Sequence, residues 1–221
     1  MQRFFDVLFS GLALLVLSPL LLGLMLLLRL TGEGEVFFRQ QRIGRGGEPF
    51  ELLKFATMLK DSPNMGTGTV TVTGDPRVLP VGRVLRELKL NELPQLINIF
   101  RGDMSVIGPR PQTRRCFDAF PPEAQREIVQ VRPGLSGVGS IAFRGEEEMY
   151  ADVDDPDWFY DHAIMPYKGE LERWYVRNQS LANYFRLIAL TAWVVVFPRS
   201  RVFWRVFREL PDPPPELAGK V

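Results

Sequence analysis

Apolar residues are spread unevenly along this 221-residue chain, and their densest run lies near its start. Residues 4–28 are apolar except at Asp6, Ser10 and Ser18. As a straight helix, about 25 residues would extend roughly 37 Å, which is long enough to cross a bilayer. The run is too long for the apolar part of a signal peptide, and no small-residue cleavage site follows it. It therefore predicts a helix embedded in a membrane.

Two features of this run favour a kinked, re-entrant helix over a straight span. Ser18 and Pro19 interrupt it, and proline removes a helix hydrogen bond that a nearby hydroxyl can replace at membrane depth. Both flanks are also basic, and basic flanks favour the cytoplasmic side. Arg3 precedes the run, and Arg29, Arg39, Arg42 and Arg45 follow it. We predict a re-entrant helix within residues 1–30, with a straight span as the alternative.

The pattern after this helix predicts an α+β domain that is mostly helical. Residues 35–55 alternate between apolar and polar stretches around a glycine-rich turn, which is typical of a β-hairpin. Residues 66–75 are interpreted as a loop. Helices are predicted over residues 80–87, 91–100, 122–131 and 168–176. We assign residues 31–200 to one catalytic domain on the cytoplasmic face.

The C-terminal part contains a second apolar stretch at residues 187–197, which is too short to span a bilayer. Residues 201–210, RVFWRVFREL, interleave arginines with Phe203, Trp204 and Phe207. This spacing favours a helix lying in the membrane interface, with a core-packing helix as the alternative. The proline-rich tail is predicted to be disordered. Residues 201–221 are therefore treated as an interfacial helix and a tail.

Charge and composition exclude several classes of function. The chain has 27 basic and 26 acidic residues, so no strong positive field favours nucleic acid. Cys116 and His162 are the only cysteine and histidine. A single residue of each type excludes an intramolecular disulfide and the usual His/Cys zinc sites. Carboxylates are left as the plausible reactive groups.

The segment richest in potential chemistry covers residues 89–111. Glu92 supplies a carboxylate that can hold Mg²⁺, and the predicted helix over 91–100 would place it and Asn91 at an N-terminus that favours anions. Arg110 lies between Pro109 and Pro111, so its backbone is restricted on both sides and its guanidinium is well placed to bind phosphate. For Glu92, simple stabilisation of the helix dipole is an equal alternative.

Other basic residues form a series beside glycine or proline turns, where a phosphate contact is easier to preorganise. An ordinary surface position is the alternative for any single one of them. The series contains Arg39, Arg42, Lys54, Arg77, Arg83, Arg86 and Arg132.

Short motifs spaced along nearly the whole chain resemble those of the bacterial monotopic phosphoglycosyl transferases. No single motif is specific, but nine in the same order and spacing are. They are Ser18-Pro19 and residues 41–44, 54–58, 74–77, 82–86, 92–96, 102–105, 108–111 and 132–137. The chain lacks the extra membrane domain of the larger members, so it looks like the minimal catalytic form.

The resemblance implies transfer of a sugar-1-phosphate from a Mg²⁺-bound UDP-sugar to undecaprenyl phosphate, the first membrane step of a surface glycoconjugate pathway such as exopolysaccharide or lipopolysaccharide synthesis. In the family, the Asp of an Asp-Glu pair attacks the β-phosphate of the UDP-sugar and releases UMP, and the phosphosugar then passes from the enzyme to the lipid.

The resemblance also implies a monotopic protein in contact with membrane lipid, on the cytoplasmic face of the bacterial inner membrane. A homodimer is left open. The implied catalytic pair is Asn91 and Glu92, with Glu92 as metal ligand, and the implied substrate-binding residues are Lys54, Arg77, Arg83, Arg86, Pro109, Arg110, Pro111 and Arg132.

Two positions depart from the family pattern. Ala56 stands where the family commonly has Arg, and Asn91 stands where it usually has Asp. Because a neutral amide is a far poorer nucleophile than a carboxylate, three explanations compete. The chain is an Asn-type enzyme that uses Glu92 as nucleophile or base, a deliberately inactivated variant, or a non-catalytic lipid-binding or scaffolding relative. The other motifs favour an active transferase.

Overall fold

The computed structural model describes residues 1–65, 75–146, 149 and 153–220. These residues are mostly helical, with one small antiparallel hairpin and one parallel pair of strands, which confirms the predicted α+β class. The predicted loop over 66–75 lies outside the described residues except for Asp75. The chain forms two compact units, one of residues 1–6, 41–50 and 102–221, the other of residues 7–40 and 51–101.

The apolar N-terminal run forms two helices, α1 (Gln2–Val16) and α2 (Ser18–Leu30), bent by 64° at the break between them. Among the described residues, no single helix is long and apolar enough to cross a membrane. Taken together, α1 and α2 have the length and the apolar composition that a crossing would need. At the break, the Ser18 hydroxyl donates a 2.7 Å hydrogen bond to the carbonyl of Leu15. Pro19 has no N–H to give that carbonyl, so Ser18 replaces the lost bond as predicted.

The buried Asp6 attaches the start of α1 to residues far away in the sequence. One of its carboxylate oxygens accepts hydrogen bonds from the Ser105 hydroxyl, the Val106 N–H and the Tyr184 hydroxyl, each at 2.9 Å. A buried carboxylate is tolerated only when donors of this kind replace water. The charge that interrupts the apolar run is therefore a structural anchor.

The predicted hairpin is confirmed as strands β1 (Phe37–Ile43) and β2 (Pro49–Phe55). Helix α3 (Pro80–Glu87) has the predicted bounds. In the unit of residues 7–40 and 51–101, apolar side chains from α2, β2 and α3 form one core cluster. Its buried members are Leu24, Leu28, Phe55 and Leu85.

The helix predicted over residues 91–100 is wrong in its first part. A 3₁₀ turn covers Leu90–Glu92, and helix α4 begins only at Gln95 and ends at Arg101. Lys89 adopts a left-handed conformation, φ 57°, which turns the chain before the 3₁₀ turn. Pro94 then precedes α4 and has no N–H with which to continue the turn into the helix. Asn91 and Glu92 are therefore outside α4.

The unit of residues 1–6, 41–50 and 102–221 is built from helices around the parallel strands β3 (Ser105–Ile107) and β4 (Gly134–Ser136). The helices predicted at 122–131 and 168–176 are both confirmed. The helices are α5 (Arg114–Asp118), α6 (Pro122–Ile128), α7 (Val138–Ala142), α8 (Pro156–Phe159), α9 (Met165–Arg177), α10 (Leu181–Val196) and α11 (Val202–Val206), with a π-helical turn at Tyr160–Ile164.

The C-terminal segment differs from its prediction. Helix α11 has only five residues, and Phe203 and Phe207 are buried, with the Phe207 ring 5.3 Å from the ring of Trp174. These aromatic side chains stabilise the core, so the core-packing alternative replaces the interfacial helix. The tail is ordered rather than disordered, because its prolines fix a 3₁₀ turn at Pro215–Leu217 that buries Leu217.

Candidate active site

Asn91 and Glu92 lie side by side in the 3₁₀ turn and differ in accessibility. Asn91 is 7% exposed, and its side-chain oxygen has no hydrogen-bond partner among the described residues. Glu92 is half-buried. A buried acceptor without a donor costs about 1–3 kcal/mol, so a ligand that satisfied it would be favoured. The turn therefore carries oxygen-bearing side chains on two consecutive residues, one ionisable and one neutral.

These oxygens also fit the Mg²⁺ that the family resemblance implies. The described residues contain no group of three or more His, Cys, Asp or Glu side chains that could hold a metal alone. Magnesium commonly takes only one or two carboxylates from the protein and completes its shell with water and substrate phosphates. Glu92 supplies one such carboxylate, and the Asn91 oxygen, which has no partner among the described residues, is a further candidate ligand.

Helix α3 carries two of the predicted phosphate-binding arginines and packs directly on the backbone of Thr57. A Cβ atom added at Gly82 would lie 2.0 Å from the Thr57 carbonyl oxygen, so only glycine permits this approach. Arg83 is exposed and makes no hydrogen bond or ion pair with any residue that the structure describes. Arg86 is half-buried and contacts the Met58 sulfur at 3.7 Å. The Gly-Arg motif thus sets the position of both guanidinium groups.

Asn98 holds the strand of Lys54 against helix α4, a role that the sequence analysis missed. Its side-chain oxygen accepts from the Leu53 N–H at 3.0 Å, and its amide donates to the Glu51 carbonyl at 2.8 Å. The residue is only 1% exposed. A lone amide within the apolar run LINIF was the available signal, because a buried amide needs partners.

Arg77 is not available for substrate, so this predicted role is corrected. The residue is 3% exposed and forms a two-pronged ion pair with Asp75, with Nε 2.9 Å from one carboxylate oxygen. Its remaining terminal nitrogen donates to the carbonyls of Ser62 and Met65. The Asp75 hydrogen bond raises the pKa of Arg77 further above its usual value. This guanidinium fixes a local fold, as a buried charge with satisfied donors does.

The predicted rigidity around Arg110 is confirmed in the other unit. Pro109 and Pro111 are buried, and Arg110 between them is half-buried. The Pro109 carbonyl accepts from the Gly134 N–H at 2.8 Å, and the Pro111 carbonyl accepts from Arg42 at 3.1 Å. The Arg110 N–H donates to a carboxylate oxygen of Glu172 at 3.2 Å. Three consecutive residues are therefore tied down through backbone atoms.

Glycines next to this loop allow β3 and β4 to meet without intervening side chains. A Cβ atom at Gly134 would lie 2.1 Å from the Gly108 nitrogen, and one at Gly137 would lie 2.2 Å from the Gly108 oxygen. No side chain fits such distances. The motifs at 108–111 and 132–137 are therefore two halves of one packed structure.

Glu172 is a buried carboxyl group that the sequence analysis missed. It is 1% exposed, and its second oxygen has no partner among the described residues. Burial raises the pKa of Glu172 to about 7, against the opposing effects of the Arg110 N–H, the Lys168 and Arg110 cations and the Gly139 N–H. Its position on the inward side of the predicted helix 168–176 was the only signal in the sequence.

We expect Glu172 to make the stability of the protein fall as the pH rises from about 5 to 8. With a pKa of about 7 instead of 4.5, the folded state binds more protons than the unfolded state in this range. The shift corresponds to about 3 kcal/mol, or a fall of roughly 6–12 °C in Tm. In Glu172→Gln, thermal unfolding monitored by fluorescence should lose most of this pH dependence.

Glu170→Gln is the matched control for this measurement. Glu170 is on the same helix, but its side chain is 49% exposed. It should leave the slope of Tm against pH unchanged. Equal slopes in wild type and Glu172→Gln would show that the buried carboxyl group does not titrate in this range.

Arg132 is placed differently from Arg110. Its Nε donates to the Gly102 carbonyl at 2.8 Å, and its side chain lines a cleft with Arg3 and Arg45. Arg110 lines a separate small cavity. Arg132 and Arg110 therefore line two different cavities, and Val131 lines both of them.

Comparison with known proteins supplies the context for these residues. The family model described as bacterial sugar transferase matches residues 1–198. The chain is similar to the exopolysaccharide production protein ExoY of Rhizobium meliloti, with 40% identity over 66% of this chain and 70% of the relative. It is 36% identical to the UDP-N-acetylgalactosamine-undecaprenyl-phosphate N-acetylgalactosaminephosphotransferase of Aeromonas hydrophila, over 81% of this chain and 40% of the relative. It is 41% identical to the UDP-glucose:undecaprenyl-phosphate glucose-1-phosphate transferase of Caulobacter vibrioides, over 66% of this chain and 56% of the relative.

Proposed function

The chain belongs to the bacterial sugar transferase family, and on this premise we propose that it transfers a sugar-1-phosphate from a UDP-sugar to undecaprenyl phosphate. The products are undecaprenyl-diphosphate-sugar and UMP, the first membrane step of a surface glycoconjugate pathway. The observation that carries the proposal is the family match over residues 1–198, which includes both Glu92 and Arg110. Relatives named as UDP-sugar transferases acting on undecaprenyl phosphate support the same substrates.

Glu92 is the proposed reacting carboxylate, because it is ionisable and less buried than Asn91. In the first step, a Glu92 oxygen forms a bond to the β-phosphorus of the UDP-sugar, and the bond from that phosphorus to the UMP oxygen breaks. UMP leaves with the electron pair. In the second step, an oxygen of the lipid phosphate attacks the same phosphorus and releases Glu92. Such covalent catalysis divides one difficult transfer into two easier ones.

Cationic side chains of this chain would stabilise the negative charge on the phosphates. We assign this role to Lys54, Arg83 and Arg86 and, on the strength of its motif, to Arg110. Bound Mg²⁺, held by Glu92 and the Asn91 oxygen, would supply further charge neutralisation at the diphosphate. Arg77 has no part in it, because Asp75 and two carbonyls occupy its donors.

Removing metal is a direct test of this assignment. Excess EDTA should stop UMP release, and added Mg²⁺ should restore it, because the metal would neutralise charge on the diphosphate. Unchanged turnover in EDTA would contradict the magnesium assignment.

The protein is proposed to act at the cytoplasmic face of the inner membrane, with α1 and α2 entering and leaving the same leaflet. The bend, the basic flanks and the exposed leucines of both helices support this arrangement. Leu12, Leu15, Leu22 and Leu26 each expose more than half of their surface. Apolar side chains so exposed favour contact with lipid.

Cysteine labelling should find both ends of the bent pair on the same side of the membrane. In a Cys116→Ser background, Arg3→Cys and Glu33→Cys are expected to be protected from an impermeant external reagent, because the bent pair would enter and leave the same leaflet. Lysis should make both reactive. Replacing Ser18 and Pro19 by alanine should straighten the helix and expose position 3 to the outside. External labelling of position 3 in the unaltered helix would show a spanning segment.

Product formation by the purified chain tests the function itself. Incubated with Mg²⁺ and a panel of UDP-sugars, the enzyme should release UMP in an amount equal to the enzyme, and intact mass should show a phosphosugar adduct. Undecaprenyl phosphate should then permit repeated turnover. UMP that appears only after lipid is added would make Glu92 a base in direct transfer. Lipid binding without UMP from any sugar would favour the scaffolding alternative.

Asn91→Asp distinguishes a natural Asn-type enzyme from an inactivated one. We expect little gain or a loss of rate, because a second carboxylate beside Glu92 adds repulsion and perturbs both pKa values. A gain of orders of magnitude would show that aspartate is the missing nucleophile. The same UMP assay measures both results.

A further inference from the structure

A polar cleft of about 170 Å³ lies in the unit of residues 1–6, 41–50 and 102–221, and the proposed transfer reaction does not use it. Three guanidinium groups line it, together with amide side chains and one carboxylate. The residues that matter here are Arg3, Asp6, Arg45, Gln130, Arg132 and Gln179. The cleft is large enough for a phosphate group and rich in donors of hydrogen bonds.

Arg45 and Arg132 each have terminal N–H groups that are not used in hydrogen bonds to the described residues. Arg45 uses only Nε, which donates to the Gln130 carbonyl at 3.2 Å. Arg132 also uses only Nε, which donates to the Gly102 carbonyl. Neither has a carboxylate partner among the described residues, and the terminal nitrogens of both lack a protein acceptor there. Each guanidinium is thus held by one backbone contact and keeps the two terminal groups that bind phosphate oxygens.

The negative charge in the cleft is already satisfied. Asp6 accepts three hydrogen bonds on one oxygen, from Ser105, Val106 and Tyr184. With one carboxylate against three arginines, the lining has a net positive charge. An anionic ligand is therefore favoured over a cationic or neutral one.

The location of Arg3 suggests where the anion comes from. Arg3 is in the first turn of α1, and the neighbouring Phe4 is 65% exposed. The helix continues as the apolar segment that we assign to the membrane. An arginine at the start of such a segment lies at the depth of lipid headgroups, where basic residues attract anionic lipids.

We propose that this cleft binds a phosphate group, and that its natural source is the headgroup of an anionic phospholipid. Arg45 and Arg132 donate to the phosphate oxygens, and Arg3 contributes positive charge from the membrane side. The site is separate from the Arg110 loop, and binding to it requires neither UDP-sugar nor turnover.

The test uses the full chain in detergent and three probes. Phosphatidylglycerol carries a phosphate on lipid tails, diacylglycerol has tails without phosphate, and inorganic phosphate has no tails. Lipid retention is measured by native mass spectrometry and phosphate binding by calorimetry. Arg45→Gln should weaken phosphatidylglycerol binding about tenfold, because a charge-assisted hydrogen bond is lost. Diacylglycerol retention should not change.

Arg126→Gln is the matched control, since Arg126 is exposed in the same unit and its guanidinium has no bond to any described residue. It should retain wild-type binding. Because Arg45 is exposed, its replacement leaves folding intact, and thermal unfolding checks this for the double variant Arg45→Gln/Arg132→Gln. An equal loss of inorganic phosphate binding would identify free phosphate as a second source. Unchanged binding of both phosphate probes in the single and double variants would overturn the proposal, whatever the transferase assay shows.

Discussion

Replacing Glu92 by glutamine is expected to lower UMP release by at least about a hundredfold, and by far more if Glu92 is the nucleophile. Glutamine has nearly the same shape but has no charge and forms no stable phosphate ester. Because Asn91 beside it is already an amide, the variant leaves the 3₁₀ turn without a carboxylate. A coupled assay of UMP with saturating UDP-sugar and lipid phosphate measures the loss.

Glu87→Gln provides the matched control for this variant. Glu87 ends helix α3 in the same unit, is exposed, and makes no hydrogen bond or ion pair with a described residue. The substitution removes the same charge close by in the sequence and should leave the rate unchanged. If Glu92→Gln keeps more than a tenth of the wild-type rate with normal stability, Glu92 is not the reacting group.

Arg110→Ala should lower the same rate by about a hundredfold to a thousandfold, as does the loss of one preorganised charge-stabilising donor in other enzymes. The three contacts that hold this loop use backbone atoms of Pro109, Arg110 and Pro111. The loop should therefore keep its conformation without the side chain. Arg110→Lys keeps the charge but loses the planar pair of donors, so an intermediate rate is expected.

Arg114→Ala is the control, because Arg114 is an exposed arginine four residues further along, paired with Asp118. It should have wild-type activity and a free energy of unfolding within about 0.5 kcal/mol of wild type. If Arg110→Ala keeps wild-type activity, the Arg110 side chain does not stabilise charge in the reaction. If Arg110→Ala loses activity only because the protein unfolds, the same conclusion follows.

The sequence was most informative where one residue controls the local backbone. Pro19 predicts a break and Ser18 its repair, and the hydrogen bond to Leu15 confirms both. The prolines beside Arg110 likewise predict a fixed loop. At the helix break the cause lies within a few residues. The Arg110 loop is restricted by its prolines and is also held by Arg42, Gly134 and Glu172.

Predictions failed where distant parts of the chain decide the conformation. Arg77 has the motif of a phosphate ligand, but its carbonyl partners at positions 62 and 65 are far enough away that no spacing rule identifies them. Phe203 and Phe207 have the spacing of an interfacial helix, yet burial determines their role. The left-handed Lys89 was unexpected because residues other than glycine rarely adopt that conformation. Glu172 became recognisable only once its neighbours were known.

The anchor at Asp6 has a consequence for how the chain is made. Its partner Tyr184 is 178 residues away, so the ribosome must synthesise most of the protein before that hydrogen bond can form. At about 5–20 residues per second, synthesis from Asp6 to Tyr184 takes roughly 10–35 seconds, so the Tyr184 hydrogen bond can form only after Ser105 and Val106 have already been made. Synthesis of Tyr184, rather than emergence of the helix, therefore sets the earliest time at which all three hydrogen bonds hold the start of α1.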